Sequence, residues 1–356
     1  MKRVAIVGTQ GVPANYGGFE TLVENIIGEN CSEGIEYTIY CSSKDMPTKM
    51  REYKGARLKY VPLRANGVQS IPYDIISMIR CMCGYDCILI LGVSGCVFLP
   101  ILKLFCRKKV IVNIDGLEYR RAKWKKWVRK YLKFSEKCAV RFANVVITDN
   151  KGIQDYVKEE YGKDTQLIAY GGNHALIDVA AEREKEILGS YGLEGKDYYM
   201  SVCRIEPENN CHITLEAFAK NNKRLIFIGN WNRNGYSRKL KEEYKDKYSN
   251  ITLLDSIYDL DILYTLRKNT KCYIHGHSAG GTNPSLVEAM FFGCPILAYD
   301  VIYNRETTRH EADYFSNADD LQRLVDSNID NGPVMKKIAD KYYTWAQIAK
   351  EYEALY

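Results

Sequence analysis

The chain has 356 residues, 46% hydrophobic and 26% charged, a composition of folded rather than disordered protein and a length that suits two domains. A net charge of +6 does not call for nucleic acid, and the sequence carries neither an RNA-binding signature nor a zinc-finger spacing. Its twelve cysteines form no C-x-x-C pair, which argues against a metal cluster; with no secretory leader after Met1-Lys2-Arg3, free thiols in a reducing cytoplasm are expected.

In chain order, residues 4–8 are an apolar run suited to a central parallel strand, followed by a loop (residues 9–18) holding Gly11, Pro13, Gly17 and Gly18. Leu22, Val23, Ile26 and Ile27 recur at helical spacing from about Phe19, which puts Gly17 and Gly18 at a helix N-terminus. That is a candidate anion site, with a plain tight turn as the competing reading; the loop is neither G-x-G-x-x-G nor a P-loop with its lysine. Further strands are expected at residues 37–41, 58–61, 87–91, 110–114, 145–148 and 166–170, with helical segments between them, the pattern of a parallel sheet covered on both faces.

Residues 87–106 are nearly all apolar and about as long as a bilayer is thick. Gly92, Ser94, Gly95, Pro100 and Lys103 interrupt them, so a buried strand followed by a core helix is the better reading. Ligands of doubly wound sheets sit beyond the carboxyl ends of the strands, which makes Asp115, Gly116 and Glu118 candidates for binding or catalysis. Asp149-Asn150 and Gly171-Gly172-Asn173 lie at comparable strand ends.

Residues 119–142 hold Arg120, Arg121, Lys123, Lys125, Lys126, Arg129, Lys130, Lys133, Lys137 and Arg141, interleaved with apolar residues. Trp124, Trp127, Val128, Tyr131 and Leu132 step at three and four, giving a helix with one aromatic and one basic face. Such a helix suits the interface of an anionic membrane, with Trp124, Lys126, Trp127 and Lys130 at the lipid. A surface helix packed on the sheet, or a nucleic-acid-binding helix, are the competing readings.

In the second half, the charged segment 180–188, within residues Gly172 to Glu194, reads as a link out of the first domain. Strands expected at residues 198–203, 225–229, 251–254, 272–275 and 295–299 then alternate with helices, a second doubly wound unit that no sequence repeat relates to the first. Arg204 follows the first of these strands, placed to pair with a diphosphate; Gly229-Asn230-Trp231 follows the second, with Trp231 equally suited to packing. After the fourth come His275, Gly276, His277 and the turn Gly280-Gly281-Thr282-Asn283. Asn283 is a good N-cap, Pro284 suits the first helical position and Gly293 can close the helix. Backbone N–H groups of Gly280, Gly281, Thr282 and the helix N-terminus make an anion site, and Glu288 leans towards it. His275 and His277 lack a clear third ligand for zinc. A single amphipathic helix is expected within residues 334–356, from Trp345, Ile348, Tyr352 and Leu355.

Two doubly wound halves, a Gly-Gly loop after the first strand, Arg204 with Pro207-Glu208, and Pro284 through Glu288-Ala289-Met290 with Gly293 and Pro295 resemble the GT-B glycosyltransferases of family four. The segments Gly11-Val12-Pro13-Ala14-Asn15-Tyr16-Gly17-Gly18-Phe19-Glu20, Asn113-Ile114-Asp115-Gly116-Leu117-Glu118 and Gly280-Gly281-Thr282-Asn283-Pro284-Ser285 are similar to those of its bacterial rhamnosyltransferase subgroup, β-1,4-rhamnosyltransferases among them. The resemblance implies an α/β GT-B fold of two Rossmann-like domains facing across a cleft. It implies an acceptor-side domain (1–175), a nucleotide-sugar domain (176–335) and a C-terminal helix (336–356) packing back on the first domain.

The implied activity is retaining transfer of a hexose, L-rhamnose from dTDP-rhamnose, to a lipid-linked glycan in capsule or other surface polysaccharide synthesis. The enzyme would be cytoplasmic and peripheral at the inner face of the membrane, metal-independent, and without a cofactor beyond its nucleotide-sugar substrate. The resemblance puts Arg204 on the diphosphate, Glu288 on the ribose, and Gly280, Gly281, Thr282 and Asn283 near the donor sugar or phosphate, with Gly17 and Gly18 closing on the donor. Asp115 would orient or deprotonate the acceptor hydroxyl, and His277 would lie near the donor. Two residues depart from the broad family: Gly280 stands where the first of two glutamates belongs, and Asn209 where a diphosphate-binding lysine is common. A sugar-nucleotide 2-epimerase of the same fold and a non-catalytic nucleotide-sugar-binding partner are the alternatives.

Overall fold

In a computed structural model of the chain, which describes residues 1–14, 17–29, 32, 34–120, 124–193, 195 and 197–356, the backbone divides into two units, Met1–Tyr170 with Trp345–Tyr356, and Gly171–Thr344. Asn15 and Tyr16 of the glycine loop, Arg121 and Lys123 of the basic segment, and Glu194 lie outside the described residues.

The first unit runs β1 (Lys2–Val7), α1 (Gly18–Glu29), β2 (Ile35–Ser42), β3 (Glu52–Tyr53), β4 (Ala56–Val61), α2 (Ser70–Arg80), β5 (Cys87–Leu91), α3 (Leu99–Phe105), β6 (Lys109–Asn113), α4 (Lys126–Phe142), β7 (Val145–Thr148), α5 (Lys151–Tyr161) and β8 (Gln166–Leu167). Among the described residues its sheet has eight strands in the order β3-β4-β2-β1-β5-β6-β7-β8, parallel throughout except for the short β3–β4 pair. The apolar runs sit centrally because helices cover both faces of a parallel sheet: every residue of β5 is buried, as are the last four of β1.

The second unit runs α6 (Ala181–Ser190), β9 (Tyr198–Val202), α7 (Cys211–Ala219), β10 (Arg224–Ile228), α8 (Gly235–Tyr244), β11 (Ile251–Leu254), α9 (Leu260–Lys268), β12 (Cys272–His275), α10 (Pro284–Phe291), β13 (Ile296–Tyr299), α11 (Ile302–Thr307), β14 (Asp313–Phe315), α12 (Ala318–Asp326) and α13 (Gly332–Tyr342). Its strands, all parallel, follow the order β11-β10-β9-β12-β13-β14. The chain ends in α14 (Trp345–Glu353), whose Trp345, Ile348 and Tyr352 enter the first unit's core beside Leu22, Val23, Ile26 and Ile27 of α1.

Three expectations need correction. The tail is two helices, not one: it breaks at Tyr343, where φ leaves the helical region, and α13 packs on α10 in the second unit while α14 packs on α1 in the first. The unit boundaries accordingly fall at 170/171 and 344/345 instead of 175/176 and 335/336. Segment 180–188 is no linker, because α6 packs against α9 with Lys268 Nζ 2.5 Å from Glu184. Residues 87–106 do form a buried strand and a helix, but α3 covers only Leu99 and Leu102. Ile101 (49%), Leu104 (79%) and Phe105 (74%) stand out to solvent. No described helix is long and apolar enough to cross a membrane, and no disulfide joins the eleven described cysteines to one another.

Candidate functional site

In the second sheet the strand order reverses direction between β9 and β12, so the loops leaving their carboxyl ends diverge around a crevice, the place where doubly wound sheets bind ligands. The two loops are tied to each other. Ser278 donates through both its N–H and its Oγ to the Glu208 carbonyl, each at 2.8 Å, and Asn210 Nδ2 donates to the Gly276 carbonyl at 2.9 Å. A Cβ on Gly276 would stand 2.3 Å from the Asn209 carbonyl oxygen, so only glycine permits this approach.

Arg204 leaves the end of β9 half-buried, and among the described residues its guanidinium has no hydrogen-bond or ion-pair partner. Asn209 behaves differently: it is 3% exposed, its Nδ2 donates to the Arg204 carbonyl at 2.6 Å, and its Oδ1 touches His277 Nδ1. From the neighbouring strand, Asn230 Oδ1 accepts from the Ile205 N–H at 3.1 Å, bracing the same loop. Trp231 lies in the core with its Nε1 on the Leu254 carbonyl (3.0 Å) and its ring edge-on to Phe227, leaving no surface for a ligand.

The turn after β12 has its expected frame. Asn283 N-caps α10, accepting from the Ser285 N–H at 3.0 Å, with Pro284 in the first helical turn and Gly293 at φ +64 beyond the end. The anion donors are redistributed, however. Asn283 already takes the Ser285, Leu286 and Val287 N–H groups through its side chain or carbonyl, which leaves the N–H groups of Gly280 and Gly281, without a partner among the described residues, as donors of the turn. Thr282 is buried, and Gly280 adopts φ +110, a conformation that L side chains rarely take.

Glu288, on the next turn of α10, does not extend alone towards the turn. Arg267, at the end of α9 and 7% exposed at its side chain, places Nη2 2.5 Å from Glu288 Oε2, while His174 Nε2 lies 3.4 Å from Oε1. Burial pushes the Glu288 carboxyl up, but Arg267 and His174 outweigh it and hold it below the ordinary range. His275, buried at the end of β12, is pushed down to about 3 by burial alone and is a neutral core histidine. Among the described residues no three His, Cys, Asp or Glu side chains are grouped to hold a metal.

The first sheet reverses between β1 and β5, and the glycine loop leaves β1 at that point. Glu20, on the first turn of α1, staples this loop: its Oε1 accepts from Thr9 Oγ1 (2.9 Å) and from the Gln10 N–H (2.7 Å). Its Oε2 lies against the place where a Cβ on Gly17 would stand, and at φ +128 any side chain there would be strained. Gly18 begins α1. Burial raises the Glu20 carboxyl against these hydrogen bonds, and the negative charge of Asp115 adds to the rise. Asp115 follows β6 with φ +59, an uncommon conformation outside glycine, and its N–H donates to Asn113 Oδ1 at 3.0 Å. The Asn113 Nδ2 in turn donates to the Tyr352 hydroxyl of α14 at 2.7 Å. Asp149 is buried, and Asn150 caps α5.

The basic helix also departs from its helical-wheel reading. Lys125 is extended, α4 begins at Lys126, and Trp124 stays off the helix with Nε1 on Glu118 at 2.9 Å. The buried stripe is Leu132, Ser135, Glu136, Cys138, Ala139 and Val140. Trp127 (65%) and Phe134 (55%) point out among exposed Lys126, Arg129, Lys130 and Lys137. Lys133 is withdrawn from that set, its ammonium 4.8, 4.7 and 4.9 Å from the ring centres of Tyr119, Tyr156 and Tyr161. The half-exposed α3 packs against α4.

Sequence reasoning singled out Arg204, the glycines, Asp115 and Glu288 as candidates. It gave no sign of Glu20 as the loop staple, of the Asn113–Tyr352 support, or of Arg267 and His174 against Glu288.

Residues 1–173 match the family model described as Domain of unknown function (DUF1972), and residues 182–345 match that described as Glycosyl transferases group 1. No curated protein matches the sequence. Among solved structures, the chain is similar to sucrose-phosphate synthase from Thermosynechococcus elongatus (15% identity, 100% of this chain and 98% of that one, TM-score 0.82). It is similar to Anabaena Alr3699/HepE in complex with UDP-glucose (14%, 100% and 99%, TM-score 0.77) and to a putative UDP-N-acetylglucosamine 2-epimerase from Listeria monocytogenes (13%, 99% and 95%, TM-score 0.65). At such identities the likeness establishes the fold, GT-B with two Rossmann-like halves. Residues 182–345 are thus similar to a glycosyl transferases group 1 domain and residues 1–173 to a DUF1972 domain, in one chain of GT-B fold.

Proposed function

We propose that the protein is a retaining glycosyltransferase that takes L-rhamnose from a dTDP-linked donor and passes it to a lipid-linked glycan at the cytoplasmic face of the membrane. The observation that carries the donor side is the meeting, at the reversal point of the second sheet, of the Arg204 loop with the glycine turn that precedes α10. The Arg204 guanidinium, the Gly280 and Gly281 N–H groups and the positive end of α10 meet the charge that develops on the departing diphosphate, a role that asks for no metal. Glu288, held by Arg267 and His174, accepts from the ribose. Asp115 orients the acceptor hydroxyl, whose proton goes to that carboxylate or to the departing phosphate. A 6-deoxysugar has a methyl where glucose has a polar arm, which suits a turn that carries Gly280 instead of a carboxylate.

For the membrane, the support is a set of exposed apolar side chains on two packed helices, Ile101, Leu104 and Phe105 of α3 and Trp127 and Phe134 of α4, with Lys126 and Lys130 exposed on α4. The test is a thermal-shift screen of dTDP- and UDP-sugars, because a ligand that binds the folded state raises its apparent stability. Stabilisation by a dTDP-sugar, lost in Arg204→Ala, is the expected result; a chain stabilised by neither class is not this enzyme. Likeness to a putative 2-epimerase favours one second reading, which product analysis without acceptor resolves: an epimerase turns over and a transferase does not.

A further inference from the structure

The Arg204 loop is pinched at its base by two thiols. Cys203 extends β9 with its N–H on the Ile228 carbonyl at 3.2 Å, and Cys211 opens α7, so residues 204–210 are a short excursion between two fixed ends. Across that base the sulfurs of Cys203 and Cys211 stand 3.8 Å apart. Cys211 Sγ also lies 4.0 Å from the Arg204 carbonyl and 3.9 Å from that of Glu206, within reach of a thiol hydrogen. The same Arg204 carbonyl accepts from the Glu206 N–H at 2.9 Å and from Asn209 Nδ2 at 2.6 Å, so the loop is folded around the atom that Cys211 touches. Cys203 is partly exposed and Cys211 is buried, so an oxidant arriving from solvent meets the first sulfur with the second directly behind it. The proposed transfer uses neither thiol.

We propose that Cys203 and Cys211 form a modification site for hydrogen peroxide, at which a reversible disulfide closes the base of the loop and turns Arg204 away from the diphosphate. The Cys203 thiolate attacks one peroxide oxygen; the O–O bond breaks, and the released hydroxide takes up the proton that the thiol gave up, leaving a sulfenic acid and one water. The Cys211 sulfur then attacks the sulfenic sulfur, the S–O bond breaks, and the Cys211 proton leaves with that oxygen as a second water. Two thiols and one peroxide become one disulfide and two waters, the sulfur pair losing the two electrons that the peroxide gains. A disulfide holds its sulfurs at about 2.05 Å, so the ends of the loop must draw together, and Cys211 loses the hydrogen it offers to the two carbonyls. Arg204, covalently next to Cys203, moves with that end. The consequence for binding rests on the reading of the second unit as the donor site.

The first test is a peptide map of the full chain after hydrogen peroxide, with remaining thiols blocked before digestion. Trypsin cuts after Arg204 and so separates the two cysteines into peptides 197–204 and 205–220. The expected result is these two peptides joined, released by dithiothreitol, and not joined in Cys203→Ser. A map without that pair, whether the thiols survive or Cys203 goes on to the sulfinic acid, overturns the proposal. The second test is calorimetric titration of reduced and oxidised protein with dTDP and with UDP. Affinity for the nucleoside diphosphate should fall about tenfold, the lower end of the worth of a hydrogen bond to a charged group, and return with dithiothreitol. Cys203→Ser should bind equally before and after peroxide. A linked protein that binds as the reduced one does overturns the control of the loop, as does a loss that persists in Cys203→Ser. Reduced protein that binds neither nucleotide removes the donor-site reading instead, and the peptide map still decides the disulfide.

Discussion

Replacing Arg267 by leucine tests whether Glu288 is held as an ion in a desolvated place. The guanidinium and carboxylate lie 2.5 Å apart with side chains 7% and 15% exposed, and His174 at 3.4 Å is the other group beside the carboxylate. Breaking a buried pair by removing one partner costs about 3–5 kcal/mol. Since His174 stays, the lower end, about 3 kcal/mol, is expected at pH 7. The sign of the pH dependence follows from the lowered carboxyl. In the wild type the pair stabilises above the unfolded carboxylate range, and that stability is lost as pH falls through the lower folded value. In Arg267→Leu burial is opposed by His174 alone, so the gap between variant and wild type is widest at neutral pH and narrows on acidification. Urea unfolding followed by hydrogen exchange of the α9 and α10 amides reports the second unit. Adding Glu288→Gln to Arg267→Leu should recover most of the loss, because it removes the stranded charge. A single variant within 1 kcal/mol of wild type, or a loss that does not vary with pH, would refute the buried pair.

Three further outcomes follow from the same structure. His275, buried and titrating near 3, stays neutral in the folded chain while its unfolded counterpart protonates below about 6.5, so it destabilises by about 1.4 kcal/mol per pH unit between those values. His275→Leu should flatten the acid limb of the stability curve by that slope, and parallel curves would show that the ring protonates in place. Tyr352→Phe strands the Asn113 Nδ2 and should cost about 1–3 kcal/mol; it should also lower kcat with little change in donor KM, because Asp115 hangs from Asn113, and unchanged kinetics would separate Asp115 from the reaction. Leu104→Glu with Phe105→Glu should abolish sedimentation with vesicles containing anionic lipid, whereas Lys126→Gln with Lys130→Gln should weaken it in a salt-dependent way. Equal retention of all three proteins would leave α3 and α4 as ordinary surface.

Much of the frame around the turn before α10 was readable because its residues carry local signals: Asn283 before Pro284 is a cap, Arg204 ends an apolar run, and Gly280 sits in a turn. Arg267 gave no such signal, since a cation in the last turn of a helix is the usual solvent-facing complement to the helix dipole. Only the packing of α9 and α10 on one sheet turns it inward. His174 belongs to a short turn far from Glu288 in sequence, and no periodicity links them. On α3 and α4 the apolar pattern was visible but not its direction, for an apolar residue reads the same whether a neighbour covers it or not; Leu132 is covered and Trp127 is not. The tail misled because α13 and α14 are both amphipathic and nearly continuous, and the break at Tyr343 and Thr344 shows no proline or glycine.

That break has a consequence for biosynthesis. The first unit needs α14 to cover α1, to place Tyr352 against Asn113 and to bring the Tyr356 ring edge-on to Tyr37. Residues 171–344 are translated in between, which at roughly 5–20 residues per second takes on the order of ten seconds or more. During that interval the nascent first half presents an open apolar groove along α1, a stretch for a chaperone to guard, and the second unit, continuous in sequence, is free to fold first.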